Sequence, residues 1–154
     1  MRLALGAALL GWCADIFLAR PVTARPPPDS LRLELVAPDS THVGEPVALL
    51  LRLTNLTDRP VEAHLLGREV AFDILVARED GRIVWRRLQG AVVPGVLQLR
   101  VLQPHETLEL RTVWRQRTLA GAAVPPGTYL VYGLLPSDEP TPRRTPDVTL
   151  RIVP

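Results

Sequence analysis

The sequence contains no lysine: all 18 of its basic residues are arginine. They stand against 16 carboxylates, and acids and arginines are interleaved along the chain, so the formal charge is only +2. No basic run matches a phosphate backbone, and no nucleic-acid partner is expected. Cysteine occurs once, at Cys13, which rules out a disulfide within the chain. None is needed, since a chain of 154 residues buries about two thirds of the surface of its unfolded state. Aromatic residues make up only 5% of the sequence.

Groups that do chemistry are equally scarce. Ser30, Ser40 and Ser137 each fall in a predicted turn or linker, and none sits in a nucleophile elbow. His42, His64 and His105 stand singly, without the spacing of a zinc site. His64, Glu69 and Asp73 lie within ten residues on neighbouring predicted strands, but the polar surface of a sheet accounts for them. No catalytic residue, metal ligand or cofactor site is expected, and the chain does not read as an enzyme.

No apolar run is long enough to span a bilayer comfortably: the N-terminal one extends from Leu3 to about Ala14. Arg2 precedes it and Val22-Thr23-Ala24 follows it as a small-residue cleavage site, which predicts a signal peptide or apolar segment over residues 1–24. A proline-rich linker over 25–30 and one domain over 31–154 follow. The expected location is outside the cytoplasm, periplasmic or secreted, with the cytoplasm as the alternative. Leu10-Gly11-Trp12-Cys13 puts a Trp where a lipoprotein box requires a small residue, so no lipid anchor is expected.

Valine, leucine and proline are abundant, with 16 prolines, and favour short strands joined by sharp turns. Leu31, Leu33 and Leu35 alternate as in a half-buried strand that stops at Pro38-Asp39-Ser40. Val47 to Asn55, Val61 to Leu66, Leu97 to Val101, Leu108 to Trp114, Tyr129 to Leu134 and Val148 to Val153 read likewise. Pro136 to Pro146 holds four prolines and predicts an exposed loop or irregular edge. Asn55-Leu56-Thr57 matches a glycosylation sequon but falls in a turn cluster, which gives it a structural reason to exist. Trp85 and Trp114 occupy alternating strand positions and are expected in the core.

The stretch Val70 to Arg86 predicts a hairpin around Asp80-Gly81. A two-residue turn sets Glu79 opposite Arg82, Ala77 opposite Val84 and Val76 opposite Trp85. Phe72, Ile74, Val76, Ile83 and Trp85 then share an apolar face. Asp73 points to the other, wet face, within reach of Arg86 for a cross-strand ion pair. Eight or nine short strands at roughly ten-residue spacing describe an all-β, antiparallel β-sandwich.

Val43-Gly44-Glu45-Pro46-Val47, Asn55 with Pro60-Val61, Phe72 to Val76, Asp80-Gly81, Val84-Trp85-Arg86, Trp114 and Pro126-Gly127-Thr128-Tyr129, in this order, resemble the bacterial intracellular proteinase inhibitor family of BsuPI-type domains. The resemblance covers about Leu31 to Leu135. It implies an immunoglobulin-like β-sandwich of about seven to nine strands and a serine protease as protein partner. Pro104-His105 stands where the family tends to have Pro-Gly, so a different turn is expected there. The candidate protease-contact segments are Gln89 to Val96 and Pro136 to Pro146, the second with Arg143 and Arg144 as bait for a trypsin-like enzyme. The alternative function is a non-enzymatic, protein-binding module of the cell envelope that uses an edge strand or loop.

Overall fold

The structure, a computed structural model, describes residues 30–154. The predicted segment over 1–24 and nearly all of the linker over 25–30 lie outside the described residues. No helix among the described residues is long and apolar enough to cross a membrane.

Among the described residues, eleven strands form an immunoglobulin-like β-sandwich: β1 (Leu31–Val36), β2 (Ser40–His42), β3 (Val47–Asn55), β4 (Val61–Leu66), β5 (Asp73–Arg78), β6 (Ile83–Arg86), β7 (Leu97–Leu102), β8 (Thr107–Trp114), β9 (Gly127–Leu135), β10 (Arg143–Arg144) and β11 (Val148–Val153). One sheet runs β1-β3-β8; the other runs β2-β11-β9-β5-β6, with β10 beside β9. A two-stranded ribbon, β4-β7, is separate from both. Pairing is antiparallel except that β2 runs parallel to β11, with Thr41 opposite Ile152. The three residues of β2 follow the predicted stop at Pro38, too short a run for alternation to register.

The alternating leucines and valines do what their period requires. Val47, Leu49, Leu51 and Leu53 of β3 and Tyr129, Val131 and Leu135 of β9 are buried between the sheets. Trp114 is fully buried, its ring 5.8 Å from that of Tyr129 and 6.2 Å from that of Trp85, and its indole N–H donates to the Arg117 carbonyl. Gly133 lets the sheets meet: a Cβ there would stand 2.4 Å from Leu51 Cδ1. Both expected core tryptophans thus join the core, Trp85 at its half-buried margin.

The sequon has a mechanical use. Asn55 is fully buried, and its amide donates to the carbonyls of Arg59, Leu102 and Gln103 at 2.8–3.1 Å while its oxygen accepts from Thr57 N–H and Oγ1. It ties β3 and the following turn to the end of β7. The turn after Pro104 keeps a left-handed residue, because His105 itself adopts φ 60°, the conformation a glycine would take there most easily.

The hairpin register is right at Val76, which pairs with Trp85, but the turn differs from the expected one. Arg78 accepts from Gly81 N–H and donates to Arg82 O, so Glu79, Asp80 and Gly81 form a three-residue turn with Gly81 at φ 82°. Ala77 then pairs with Ile83, not Val84, and a bulge between Val76 and Ala77 restores the register. Val84, the extra residue, turns into the core, whereas Ile83 is exposed.

Candidate protease-contact loops

The apolar run of β5 is buried on both faces, which corrects the expected wet position of Asp73: its side chain is only 3% exposed. The expected ion pair with Arg86 is formed, with Nε 2.9 Å from Oδ2 and Nη2 on the same oxygen. The other carboxylate oxygen, Oδ1, accepts the N–H of Leu88 at 2.9 Å. A buried carboxylate must find such partners, and here they lie at the start of the segment that leaves β6. Arg87 adds to the anchor, with its guanidinium 3.8 Å from the centre of the Phe72 ring and Nη1 donating to the Phe72 carbonyl. Its N–H donates to Ile74 O.

The far end of the same loop is held by Gly67, whose N–H donates to Val96 O at 2.9 Å. Only glycine fits at that position: φ is 101°, and a Cβ would lie 2.3 Å from Glu69 O. Gln98 fastens the next turn of chain by donating to the carbonyls of Gly67 and Arg68. Between these two anchors, Gly90, Ala91, Val92, Pro94 and Gly95 are exposed, and Val92 reaches 89%. The result is a proline-stiffened, aliphatic loop fixed at both ends.

The second segment is less free. Arg143 and Arg144 form β10, opposite Leu135 and Leu134 of β9. Arg143 binds Glu139 at 3.2 Å and the Leu31 carbonyl at 3.4 Å; Arg144 binds Asp147 at 2.5 Å and lies 4.1 Å from the centre of the Tyr132 ring. Thr145, buried, exchanges two hydrogen bonds with Gly133. The segment is the irregular edge that its prolines predict, and both candidate arginines are engaged with their own surroundings.

His64 belongs to this second segment and not to a cluster with Glu69 and Asp73. Its Nδ1 lies 2.8 Å from Asp138 and its Nε2 3.0 Å from Glu62. Two carboxylates on the two ring nitrogens call for two N–H donors, the imidazolium form. The bond to Asp138 raises the His64 pKa above its ordinary value; burial opposes this, and Glu62 reinforces it. The pair holds the Pro136 segment against β4. Among the described residues no group of three His, Cys, Asp or Glu side chains is arranged to hold a metal.

The sequence anticipates the Asp73–Arg86 pair but not that Asp73 anchors a loop or that Asp138 meets His64. A carboxylate in the middle of an apolar run is the one local sign of the first. Nothing local signals the second, whose partners are 74 residues apart.

A model of the BsuPI family, intracellular proteinase inhibitor, matches residues 35–139. The match overturns the expected extracytoplasmic location, since the family is described as intracellular. The physical reason lies in Asp15 and Arg20, charges in and just after the apolar segment that an export signal tolerates poorly. No curated protein matches the chain. Among solved structures, the chain is similar to the CARDB domain of a Pyrococcus furiosus protein, with 15% identity, 80% of this chain and 94% of that one covered, and a TM-score of 0.43. It is also similar to part of the Pseudomonas fluorescens alkylpurine DNA glycosylase AlkC bound to DNA, with 13% identity, 81% of this chain covered and a TM-score of 0.45. A third similarity is to a Listeria innocua β-glucosidase in complex with glucose, with 12% identity, 79% of this chain covered and a TM-score of 0.43. The chain spans only 31% of the glycosylase and 16% of the glucosidase.

Proposed function

Because the chain belongs to the intracellular proteinase inhibitor family, whose model matches more than half of it, we propose that it inhibits a serine protease by presenting the Gln89 to Val96 loop to the protease cleft. The observation that carries this is the exposure of Val92 on a loop anchored at both ends, by Asp73 to Leu88 and by Gly67 to Val96. A loop already held in one shape loses little conformational freedom on binding, which is how a small contact reaches high affinity. It offers backbone amides and aliphatic side chains, the chemistry with which an extended peptide is read.

The loop favours a target whose primary pocket accepts an aliphatic side chain. Arg143 and Arg144 are the alternative contact, suited to a pocket lined by a carboxylate. Their bonds to Glu139 and Asp147 support a scaffolding use instead, because a protease would have to break them to seat either arginine. Titration of subtilisin-like and trypsin-like proteases with the wild-type chain, Val92→Asp and the double variant Arg143→Ala/Arg144→Ala tests the proposal. Stoichiometric inhibition of the aliphatic-specific enzyme, lost in Val92→Asp and kept in the double variant, is the expected outcome. Cleavage after Arg143 or Arg144 with no inhibition of either enzyme overturns it.

A further inference from the structure

We infer that two copies of this chain associate through the open edge of β7. Among the described residues the strand pairs only with β4, through Leu66↔Leu97 to Val61↔Leu102. Its alternation is inverted relative to the core strands: Leu97, Leu99 and Val101 are 45%, 57% and 51% exposed, whereas polar Gln98 and Arg100 occupy the opposite face. Three apolar side chains in a row on an open edge are what soluble β proteins normally avoid, by charge, proline or a covering segment. Here the strand carries no proline and no acid, and its one charge, Arg100, faces away from the leucines and meets Glu106 at 3.9 Å.

The backbone is also available. The Gly67 N–H to Val96 O bond sets the alternation of the β4-β7 ladder, so Gln98, Arg100 and Leu102 direct their main-chain groups to β4. Those of Leu97, Leu99 and Val101 point to the open edge.

A second copy fits this edge by symmetry. The pattern Leu97-Gln98-Leu99-Arg100-Val101 reads apolar, polar, apolar, polar, apolar in both directions. Antiparallel pairing about a two-fold axis at Leu99 therefore sets Leu99 against Leu99 of the second copy and Leu97 against its Val101. The six apolar side chains merge into one patch. The same register puts Arg100 opposite Gln98, so no like charges meet. Such a contact is smaller than the roughly 800 Å² per partner of a standard stable complex, and association is accordingly weak and concentration-dependent.

Sedimentation of the whole chain across a wide concentration range tests this. The wild-type mass is expected to rise from one copy towards two, and Leu99→Arg to remain at one copy with an unchanged urea midpoint, as befits an exposed position. Leu99→Cys in a Cys13→Ser background is expected to cross-link into dimers on mild oxidation, unlike Leu119→Cys, at an exposed position elsewhere. A single-copy mass at every concentration, a dimer that survives Leu99→Arg, or equal cross-linking at 99 and 119 overturns the inference. A single-copy wild type whose Leu99→Arg variant loses protease inhibition also overturns it, and assigns the face to the protease.

Discussion

Asp73 and Leu88 are joined by a 2.9 Å hydrogen bond from the Leu88 N–H to a carboxylate that is itself capped by Arg86. This bond makes the hairpin and the exposed loop one mechanical unit: the strand that fills the core also sets where the loop begins.

Asp73→Ala removes the carboxylate from beneath Arg86 and leaves the Leu88 N–H without its acceptor. The expected cost is about 3 kcal/mol, that of breaking a buried charged pair, read as a lower urea midpoint with an unchanged slope. Arg86→Ala is expected to cost a similar amount, because it strands the buried carboxylate. A loss of stability under about 0.5 kcal/mol for both variants would show that the pair is dispensable.

Asn55 has a comparable structural role with no charge. Asn55→Ala removes the side-chain amide that the Arg59, Leu102 and Gln103 carbonyls and the Thr57 N–H bind; Arg59 O keeps Thr57 Oγ1 and Gln103 O keeps the Glu106 N–H, and about 2 kcal/mol of destabilisation is expected. Asn55→Asp should be no better, since a carboxylate would face three carbonyl oxygens. Urea denaturation of the two variants checks both points, and a near-wild-type Asn55→Asp would contradict the assigned hydrogen bonds.

The His64 latch gives stability a pH dependence of known sign. Its folded pKa is raised above the unfolded value, chiefly by Asp138. The contribution is therefore fully present below about pH 6.5, the unfolded value, and is lost as pH rises through the folded one. The stability difference between wild type and His64→Gln should shrink as pH is raised from about 6 to about 9. A difference that grows with pH would place the charge on the wrong group.

Most of the fold was legible because inward and outward residues alternate along β1, β3, β4, β8 and β9, whereas the two-sided burial of β5 did not show in an apolar run that Asp73 interrupts. Alternation is blind to which face is inward. Leu97, Leu99 and Val101 have the same pattern as Leu49, Leu51 and Leu53, yet face solvent. The Val84 bulge escaped for a different reason: a three-residue turn plus a bulge yields the same Val76–Trp85 pair as a two-residue turn. The burial of Asp73 depends on what Arg86, Arg87 and Leu88 do after the strand has paired, a tertiary fact with no period in the sequence. Arg143 and Arg144 looked free because their carboxylate partners, Glu139 within the proline-broken stretch and Asp147 just after it, pair with them only once it folds.

The proposed inhibitory surface is the anchored Gln89 to Val96 loop. Its most direct measurement is the inhibition constant of the chain and of Val92→Asp against an aliphatic-specific serine protease. Inhibition by the wild type and a loss of at least about a hundredfold in the variant are expected, the range seen when a central contact residue is replaced by a charge. Equal inhibition by the two proteins would contradict that assignment.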